Sequence, residues 1–148
     1  MIRPFQPGDT DDCLAIFDGN VPHYFAPHER TDFSAYLLDP ARPSDYQVLV
    51  RAGQIVACGG LAVDTPGTAA FCWGMVHRAC HRQGLGTQLA VARIARARTL
   101  GAQRLVLSTS QHTRRFYAAL GFAVIAITPD GHGPGLDAVE MALALAPH

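Results

Sequence analysis

Apolar residues recur along the chain with two periods, one typical of strands and one typical of helices. Two apolar runs lie on either side of the turn Ala52-Gly53, at Tyr46–Arg51 and Gln54–Asp64. Together they predict an antiparallel hairpin. The pair Gly59-Gly60 inside the second run predicts a bulge or the close approach of another backbone. Thr65-Pro66-Gly67-Thr68 then turns the chain into the next apolar run.

The run Ala69–Val76 predicts the central strand of the sheet. Strict alternation would place Phe71, Trp73 and Met75 on one face and Cys72, Gly74 and Val76 on the other. The helix expected next, from Gly84 to about Leu100, carries a narrow stripe of Ala90, Ile94 and Ala97 beside Leu89. Small residues allow close packing on a sheet, and Gly101 is well placed to end the helix.

The remaining elements follow from the same patterns and from glycine and proline breaks. They are a strand at Met1–Phe5, helices over Asp11–Asp18 and from about His28 to Leu38, a strand at Gln103–Leu107 parallel to the central one, a helix capped near Ser110 that runs through Leu120, a strand at Phe122–Thr128, a mobile loop at Pro129–Gly135 and a strand at Asp137–Leu145. The last strand alternates, with Val139, Met141, Leu143 and Leu145 on one face. With 148 residues and no internal repeat or linker, residues 1–148 are expected to form one domain.

Charge and composition narrow the class of function. Lys+Arg and Asp+Glu both number 12, so the formal net charge is zero and a nucleic-acid partner is not expected. No stretch approaches the ~20 apolar residues of a membrane span, and the N-terminus lacks the apolar segment of a signal peptide. We therefore expect a cytoplasmic protein with no membrane partner.

The four cysteines lie mostly within apolar runs, which favours small buried hydrophobes over disulfides. His77, Cys80 and His81, with Cys72 nearby, match no compact zinc spacing, so no metal site is predicted.

Two glycines, Gly84 and Gly86, separate the central strand from the helix, with Arg82, Gln83 and Thr87 around them. The first N–H groups of a helix lack intrahelical partners, and the helix dipole adds positive charge there. Glycines let a phosphate approach those donors, so the turn predicts a pyrophosphate site. The alternative is a glycine turn with no ligand.

A second motif lies about thirty residues further on, in Ser110–Phe122, where Phe116-Tyr117 is followed by Gly121-Phe122. Together the two segments resemble the GNAT superfamily of acyl-CoA-dependent N-acyltransferases. That family has Gln/Arg-x-x-Gly-x-Gly/Ala at its pyrophosphate turn and Phe-Tyr-x-x-x-Gly-Phe afterwards. The chain departs from the first pattern at the Gln/Arg position, which is His81.

The resemblance implies an α+β fold, a three-layer α/β/α sandwich around a mixed, mostly antiparallel sheet with a splayed parallel strand pair. It also implies that acetyl-CoA is the co-substrate. The pantetheine amides would pair with the free backbone around Val76, and Arg82 is a candidate for the 3′-phosphate unless it is a solvated turn residue. The expected cofactor-binding residues are Val76, Arg82, Gln83, Gly84, Leu85, Gly86, Thr87, Ser110 and Phe116.

For the chemistry, the resemblance places Tyr117 where the family's tyrosine protonates the departing sulfur of coenzyme A. A phenol, with a pKa of about 10, is protonated at neutral pH and suits that role. The alternative is that Tyr117 packs its helix and hydrogen-bonds the cofactor. Many relatives carry a basic glutamate on the central strand, but Ala69–Val76 holds no carboxylate. The other candidates are Glu29, Asp64, His23 and His77, or a water chain that ends at a backbone carbonyl. We take Glu29 as the base because it follows the aromatic loop Asn20–Pro27.

The first helical region usually forms part of the acceptor wall in the family. His23, Tyr24 and Tyr36, with Glu29 and Asp32, are thus the substrate-side candidates, although Tyr24 and Tyr36 could instead pack the loop onto the sheet. The predicted function is transfer of an acetyl (acyl) group from acetyl-CoA to a primary amine, of a small molecule rather than a polycation. The alternatives are a catalytically silent acyl-CoA-binding module and a nucleotide-phosphate binder. A homodimer through the last strands is compatible with the sequence.

Overall fold

The computed structural model describes residues 1–40 and 44–145. Its strands are β1 (Ile2–Pro4), β2 (Ser44–Arg51), β3 (Gln54–Thr65), β4 (Thr68–Val76), β5 (Arg104–Thr109), β6 (Ala123–Gly133) and β7 (Leu136–Ala144). Its α-helices are α1 (Thr10–Gly19), α2 (Glu29–Leu38), α3 (Leu85–Thr99) and α4 (Arg114–Ala119). Each predicted strand and helix is therefore present, with ends that shift by a few residues.

The strands form one sheet in the order β1-β2-β3-β4-β5-β7-β6. Neighbouring strands are antiparallel except β4 and β5, which α3 connects as a parallel pair. Helices α1 and α2 pack Phe17 and Phe33 against one face of the sheet, and α3 and α4 pack Leu89 and Tyr117 against the other. The predicted α+β sandwich with a mixed sheet is confirmed. We call the two sides the α1/α2 face and the α3/α4 face.

Helix α3 packs on the sheet through the stripe that the sequence indicates. Ala90, Ile94 and Ala97 are buried with Leu89, whereas Val91 and Leu100 are exposed. Its end is followed by Gly101 with φ of +83°, a left-handed conformation that favours glycine. The alternation of β7 is also confirmed, since Val139, Met141 and Leu145 are buried on the α3/α4 face and Leu143 packs against them.

The prediction of a mobile loop at Pro129–Gly135 is wrong. Strand β6 continues to Gly133, which pairs with Leu136, so the turn is short. The Asp130 carboxylate accepts from the Gly135 N–H at 2.9 Å, and Asp137 accepts from the Asp130 N–H at 3.1 Å. Glycine and proline signal a loop in most contexts, but β6 lies at the edge of the sheet, where both are tolerated.

The prediction that Ser110 or a neighbour caps a helix through Leu120 needs correction. Helix α4 begins at Arg114, and the residues before it form turns in which the Ser110 carbonyl accepts from the N–H groups of Thr113 and Arg114. The Ser110 hydroxyl, which is buried, accepts from the His112 N–H at 3.3 Å. These turns place Ser110 at the end of β5, a full turn before the helix.

Within the described residues the four cysteines are free thiols, with Cys13 and Cys58 buried in the core and Cys72 and Cys80 half-buried. In the same part of the chain no three His, Cys, Asp or Glu side chains converge as metal ligands would. None of the helices described there has the length and apolar character to cross a membrane.

Candidate functional site

The parallel strands β4 and β5 separate along their length and open a wedge in the sheet. They pair only where Thr68–Ala70 faces Arg104–Val106. Beyond that point, Phe71–Val76 of β4 and Leu107–Thr109 of β5 diverge, and a cleft of about 630 Å³ lies between and around them. Because one edge of β4 is left without a neighbouring strand, its backbone can pair with an extended polar ligand.

A bulge shapes β4 at the wedge. Trp73 has φ of +48°, and the register against β3 shifts between Cys58 and Gly60. As a result Cys72 and Trp73 both face α2, where the Cys72 Sγ lies 3.7 Å from the Tyr36 hydroxyl and Trp73 stacks near Phe33. The irregularity that Gly59-Gly60 predicts is confirmed as a bulge, but its extra residue lies in β4, opposite the glycine pair.

The same bulge corrects the predicted faces of the central strand. Phe71 lies on the α3/α4 face, where it packs against Tyr117, and does not share a face with Trp73 and Met75. Cys72 likewise does not share the face of Gly74 and Val76. Strict alternation fails here because one extra residue rotates the rest of the strand by half a pleat.

The N-terminus of α3 closes one end of the cleft. Gly84 precedes the helix with φ of +79°. Its carbonyl accepts the first hydrogen bond of the helix, which the Gln88 N–H donates. The N–H groups of Leu85, Gly86 and Thr87 therefore have no intrahelical acceptor and carry the positive end of the helix dipole. A Cβ at Gly86 would lie 3.3 Å from Phe116 Cζ, so glycine lets α4 approach this turn closely.

Around this turn, Arg82, Gly84, Leu85, Gly86 and Thr87 line the cleft. Ser110 and Phe116 line it from the side of β5 and α4. Gln83 is exposed and lies outside the cleft wall.

The end of β4 is held by two side chains that donate to the Val76 carbonyl. The buried Asn20 amide donates at 3.0 Å, and the His81 ring donates from Nε2 at 2.9 Å, which fixes the tautomer of that ring. The Val76 N–H faces the wedge, because the His77 N–H pairs with the Val56 carbonyl on the β3 side. His81 thus braces the strand that leads into the glycine turn.

Tyr117 lies on the α3/α4 face of the wedge and lines the cleft. Its ring packs edge-on to Phe116 at 4.9 Å and to Phe122 at 5.8 Å between ring centres. Gly121, with φ of +103°, ends α4 and returns Phe122 to the core. The segment that carries the family resemblance therefore positions a phenol at the mouth of the wedge.

On the α1/α2 face, three polar side chains from distant segments converge. Glu29, the first residue of α2, accepts from the Ala26 N–H with Oε2 at 2.9 Å and has Oε1 3.5 Å from His132 Nδ1. His132 Nε2 lies 2.9 Å from the Ser108 hydroxyl oxygen on β5. The hydrogen bond with Glu29 raises the pKa of His132, and burial partly offsets this rise.

The aromatic loop before α2 reaches across the cleft. His23 is exposed and stacks on His112 with ring centres 4.1 Å apart, and Tyr24 lines the cleft beside His81. Desolvation and the neighbouring His112 ring, followed by Arg78, lower the pKa of His23. A lower pKa favours the neutral ring, which avoids like-charge repulsion between the two stacked imidazoles.

The other candidates from the sequence lie away from the wedge. Tyr36 packs against Tyr46 and Trp73 in the α1/α2 core, and Asp32 is exposed. His77 accepts from the Ala79 N–H through Nδ1, as expected of a satisfied turn residue. The Asp64 side chain lies outside the described part of the chain.

Arg93 of α3 is a feature that the sequence analysis missed. Its side chain is buried, donates to the Gly60 carbonyl at 3.2 Å and stacks on the Phe71 ring at 3.8 Å. A Cβ at Gly59 or Gly74 would lie within about 3 Å of the guanidinium (2.9 and 3.1 Å), so these glycines leave it room. Its Nε has no hydrogen-bond partner among the described residues.

We expect Arg93→Met to change the free energy of unfolding by less than about 1 kcal/mol, because loss of the hydrogen bond is offset by removal of an unpartnered buried donor. Arg93→Ala should lower it by about 2 kcal/mol or more through the cavity it leaves. Urea unfolding of both variants measures the difference. Equal destabilisation by Met and Ala would show that the guanidinium contacts, rather than the packing of the side chain, stabilise this region.

Comparison with known proteins bears on the identity of this site. A family model described as the acetyltransferase (GNAT) family matches residues 11–122. Among curated proteins, none matches the chain in sequence.

Solved structures resemble the chain over nearly its full length. A GNAT-family protein from Desulfovibrio desulfuricans has a TM-score of 0.84 and 21% identity, with 99% of both chains covered. The ribosomal-protein-S18-alanine N-acetyltransferase from Escherichia coli has a TM-score of 0.83 and 19% identity, covering 100% of this chain and 95% of its own. An aminoglycoside 6′-N-acetyltransferase complexed with coenzyme A has a TM-score of 0.80 and 14% identity, covering 100% and 98%. These likenesses show a common fold, and since the family model matches most of the sequence, the chain belongs to the GNAT family of acetyltransferases.

Proposed function

We propose that the protein transfers an acetyl group from acetyl-CoA to a primary amine of a small molecule, by direct attack in a ternary complex. The observation that carries the proposal is the wedge between β4 and β5, which ends at the N-terminus of α3 with its free N–H groups. Tyr117 flanks this wedge on one face of the sheet and Glu29 flanks it on the other. Such an arrangement suits an acyl donor in the wedge and an acceptor on the α1/α2 face.

Acetyl-CoA binds in this proposal with its pyrophosphate against the N–H groups of Leu85, Gly86 and Thr87. The pantetheine arm pairs with the free edge of β4, beginning at the Val76 N–H, as an added strand would. Arg82 pairs with the 3′-phosphate in this proposal, which its position in the cleft wall beside the turn supports. Phe116 and Ser110 complete the wall that the arm passes.

The chemistry requires attack of a neutral amine on the thioester carbon and a proton for the leaving sulfur. Backbone N–H groups on the free edge of β4 polarise the carbonyl. The carbon–sulfur bond then breaks, and the Tyr117 hydroxyl gives its proton to the sulfur. Glu29 is 3.5 Å from the His132 ring, so its carboxylate can take the amine proton directly or through that ring.

The acceptor side of the cleft favours a small amine over a cationic peptide. Tyr24, Phe25 and Trp73 line it, and Glu29 is the carboxylate among its described lining residues. A polycation would call for several carboxylates. An amine with an apolar or aromatic body fits this lining.

A silent acyl-CoA-binding module is the alternative, and the absence of a carboxylate from the sequence of β4 favours it. Amine-dependent release of free thiol from acetyl-CoA would exclude it. A homodimer is a separate proposal, supported by the edge position of β6, where Val124, Ile125 and Ile127 are exposed.

Calorimetric titration with acetyl-CoA tests the binding half of the proposal, with ADP and desulfo-CoA as comparators. We expect micromolar binding of acetyl-CoA and desulfo-CoA, and much weaker binding of ADP, because the free edge of β4 pairs with the pantetheine arm. ADP binding as tight as that of acetyl-CoA would mean that the α3 turn binds phosphate alone. No binding of any of the three would contradict the proposal.

A further inference from the structure

We propose that His132 is the general base of the proposed acetyl transfer, taking the acceptor's proton on Nε2 while Glu29 orients the ring from Nδ1. The inference rests on the proposed function and changes the role of Glu29 from base to positioning residue. Sequence order hides the arrangement, since Glu29, Ser108 and His132 come from α2, β5 and β6.

The contacts on the two ring nitrogens define the tautomer. Nδ1 faces Glu29 Oε1 at 3.5 Å, and Nε2 faces the Ser108 hydroxyl oxygen at 2.9 Å. A carboxylate only accepts, so the proton of the neutral ring belongs on Nδ1 and the lone pair on Nε2. Ser108 then donates to that lone pair until an amine takes its place.

The Glu29 carboxylate is poorly placed to reach the amine itself. Its Oε2 already accepts from the Ala26 N–H at 2.9 Å, and its Oε1 faces the imidazole. The side chain of Glu29 is 16% exposed, whereas that of His132 is 28% exposed. His132 is therefore the more exposed of the two side chains, and both line the cleft.

The base and the acid lie on opposite faces of the wedge. On β5, Leu105 and Leu107 are buried on the α3/α4 face, so the alternate residue Ser108 points toward the α1/α2 face with His132. Tyr117 lies on the α3/α4 face against Phe71. An amine approaching from the His132 side therefore meets the thioester carbon opposite the group that protonates the leaving sulfur.

The protons balance in this arrangement. The amine nitrogen bonds to the thioester carbon, and its proton passes to His132 Nε2, whose positive charge faces Glu29. The carbon–sulfur bond breaks, and sulfur takes the proton of the Tyr117 hydroxyl. Proton return from the imidazolium to the phenolate through solvent restores both groups, so that thioester and amine give amide and thiol.

Other titratable groups surround the ring and bear on its pH dependence. The hydrogen bond with Glu29 raises the pKa of His132, burial partly offsets that rise, and the Thr109 backbone adds to it. His28 lies beside Gly133, the next residue along β6, and His112 and Tyr117 face the same cleft. Of these groups, Glu29 is the one in direct contact with the His132 ring.

The test measures acceptor kcat/KM between about pH 5.5 and 9, with the best substrate among ethanolamine, glycinamide and 2-phenylethylamine. His132→Gln should lower kcat/KM by about 10²- to 10⁴-fold and abolish the fall at acid pH that exceeds the effect of protonating the amine itself. Glu29→Gln should move that fall to lower pH, because a ring without its carboxylate partner protonates less readily. Acetyl-CoA affinity should stay unchanged in both, and His28→Gln is the matched control that should keep the wild-type profile.

The outcomes separate the inference from the proposed function. Failure of the wild-type protein to acetylate any of the amines would overturn the proposed function and the inference with it. Turnover by the wild type together with near-normal kcat/KM in His132→Gln would overturn the inference alone. A loss in Glu29→Gln as large as in His132→Gln, with no displacement of the profile, would return the role of base to Glu29.

Discussion

Gly86→Asp is expected to lower the affinity for acetyl-CoA by at least about 100-fold. Gly86 is the second residue of α3, and its N–H is one of the free donors at the helix N-terminus. A carboxylate there would stand where the phosphates bind, so like charges would meet at short range. Its Cβ would also press on Phe116 Cζ, 3.3 Å away. Calorimetric titration of the variant gives the change in Kd.

Gly86→Ala is the matched control for this substitution, because it adds the Cβ without the charge. Its contacts with Phe116 Cζ and with Val76 Cγ2, at 3.3 and 3.5 Å, are tight but not severe, so a loss of less than about tenfold is expected. Added salt should reduce the difference in Kd for acetyl-CoA between the Asp and Ala variants, because salt screens the repulsion between the carboxylate and the phosphates. Wild-type affinity in the Asp variant would show that the phosphates bind elsewhere.

Tyr117→Phe is expected to lower kcat by about 10²- to 10⁴-fold, the usual contribution of a general acid. Affinity for acetyl-CoA should change little, because the phenylalanine ring keeps the packing with Phe71, Phe116 and Phe122. Steady-state rates together with a titration of acetyl-CoA separate the two effects.

Phe122, which packs against the Tyr117 ring, provides a comparison variant for Tyr117→Phe. Phe122→Leu disturbs the packing around Tyr117 but keeps the hydroxyl, and it should lower stability more than kcat. If Tyr117→Phe instead weakened acetyl-CoA binding in proportion to its loss of rate, the hydroxyl would be a binding group rather than the acid.

Local patterns in the sequence predict most of the fold. The apolar stripe of α3 and the alternation of β7 each depend on residues close in sequence, and both elements form as expected. The prediction of which residues share a face of β4 is wrong, because Trp73 lies in a bulge and adopts a left-handed conformation that tryptophan rarely takes. The sequence indicates this bulge only in the partner strand β3, where Gly59-Gly60 lies opposite it. The composition of Pro129–Gly135 predicts a loop, because it gives no sign that most of the segment belongs to an edge strand.

The candidate site also has parts that local sequence predicts and parts that only the fold brings together. The turn at Gly84-Gly86 and the pair Phe116-Tyr117 are contiguous motifs, and the structure brings both to one cleft. The convergence of Glu29, Ser108 and His132 depends on three segments that meet only after the sheet has formed, so no local pattern marks it. Arg93 interrupts an otherwise small and apolar stripe, and only the glycines opposite it in β3 and β4 explain its burial.

The bulge in β4 also determines which kinds of genetic change the cleft can tolerate. Its origin is a mismatch in residue count, in which Cys58–Gly60 of β3 spans the same length as Cys72–Met75 of β4. Point substitutions along the lining change side chains and leave that count intact, so substrate preference can drift without loss of the cleft. Deletion of a single codon at Trp73 would instead restore an even ladder, close the bulge and remove the ring that packs against Phe25 and Phe33 in the α1/α2 core. We therefore expect descendants of this chain to keep the length of this segment more strictly than its residue types.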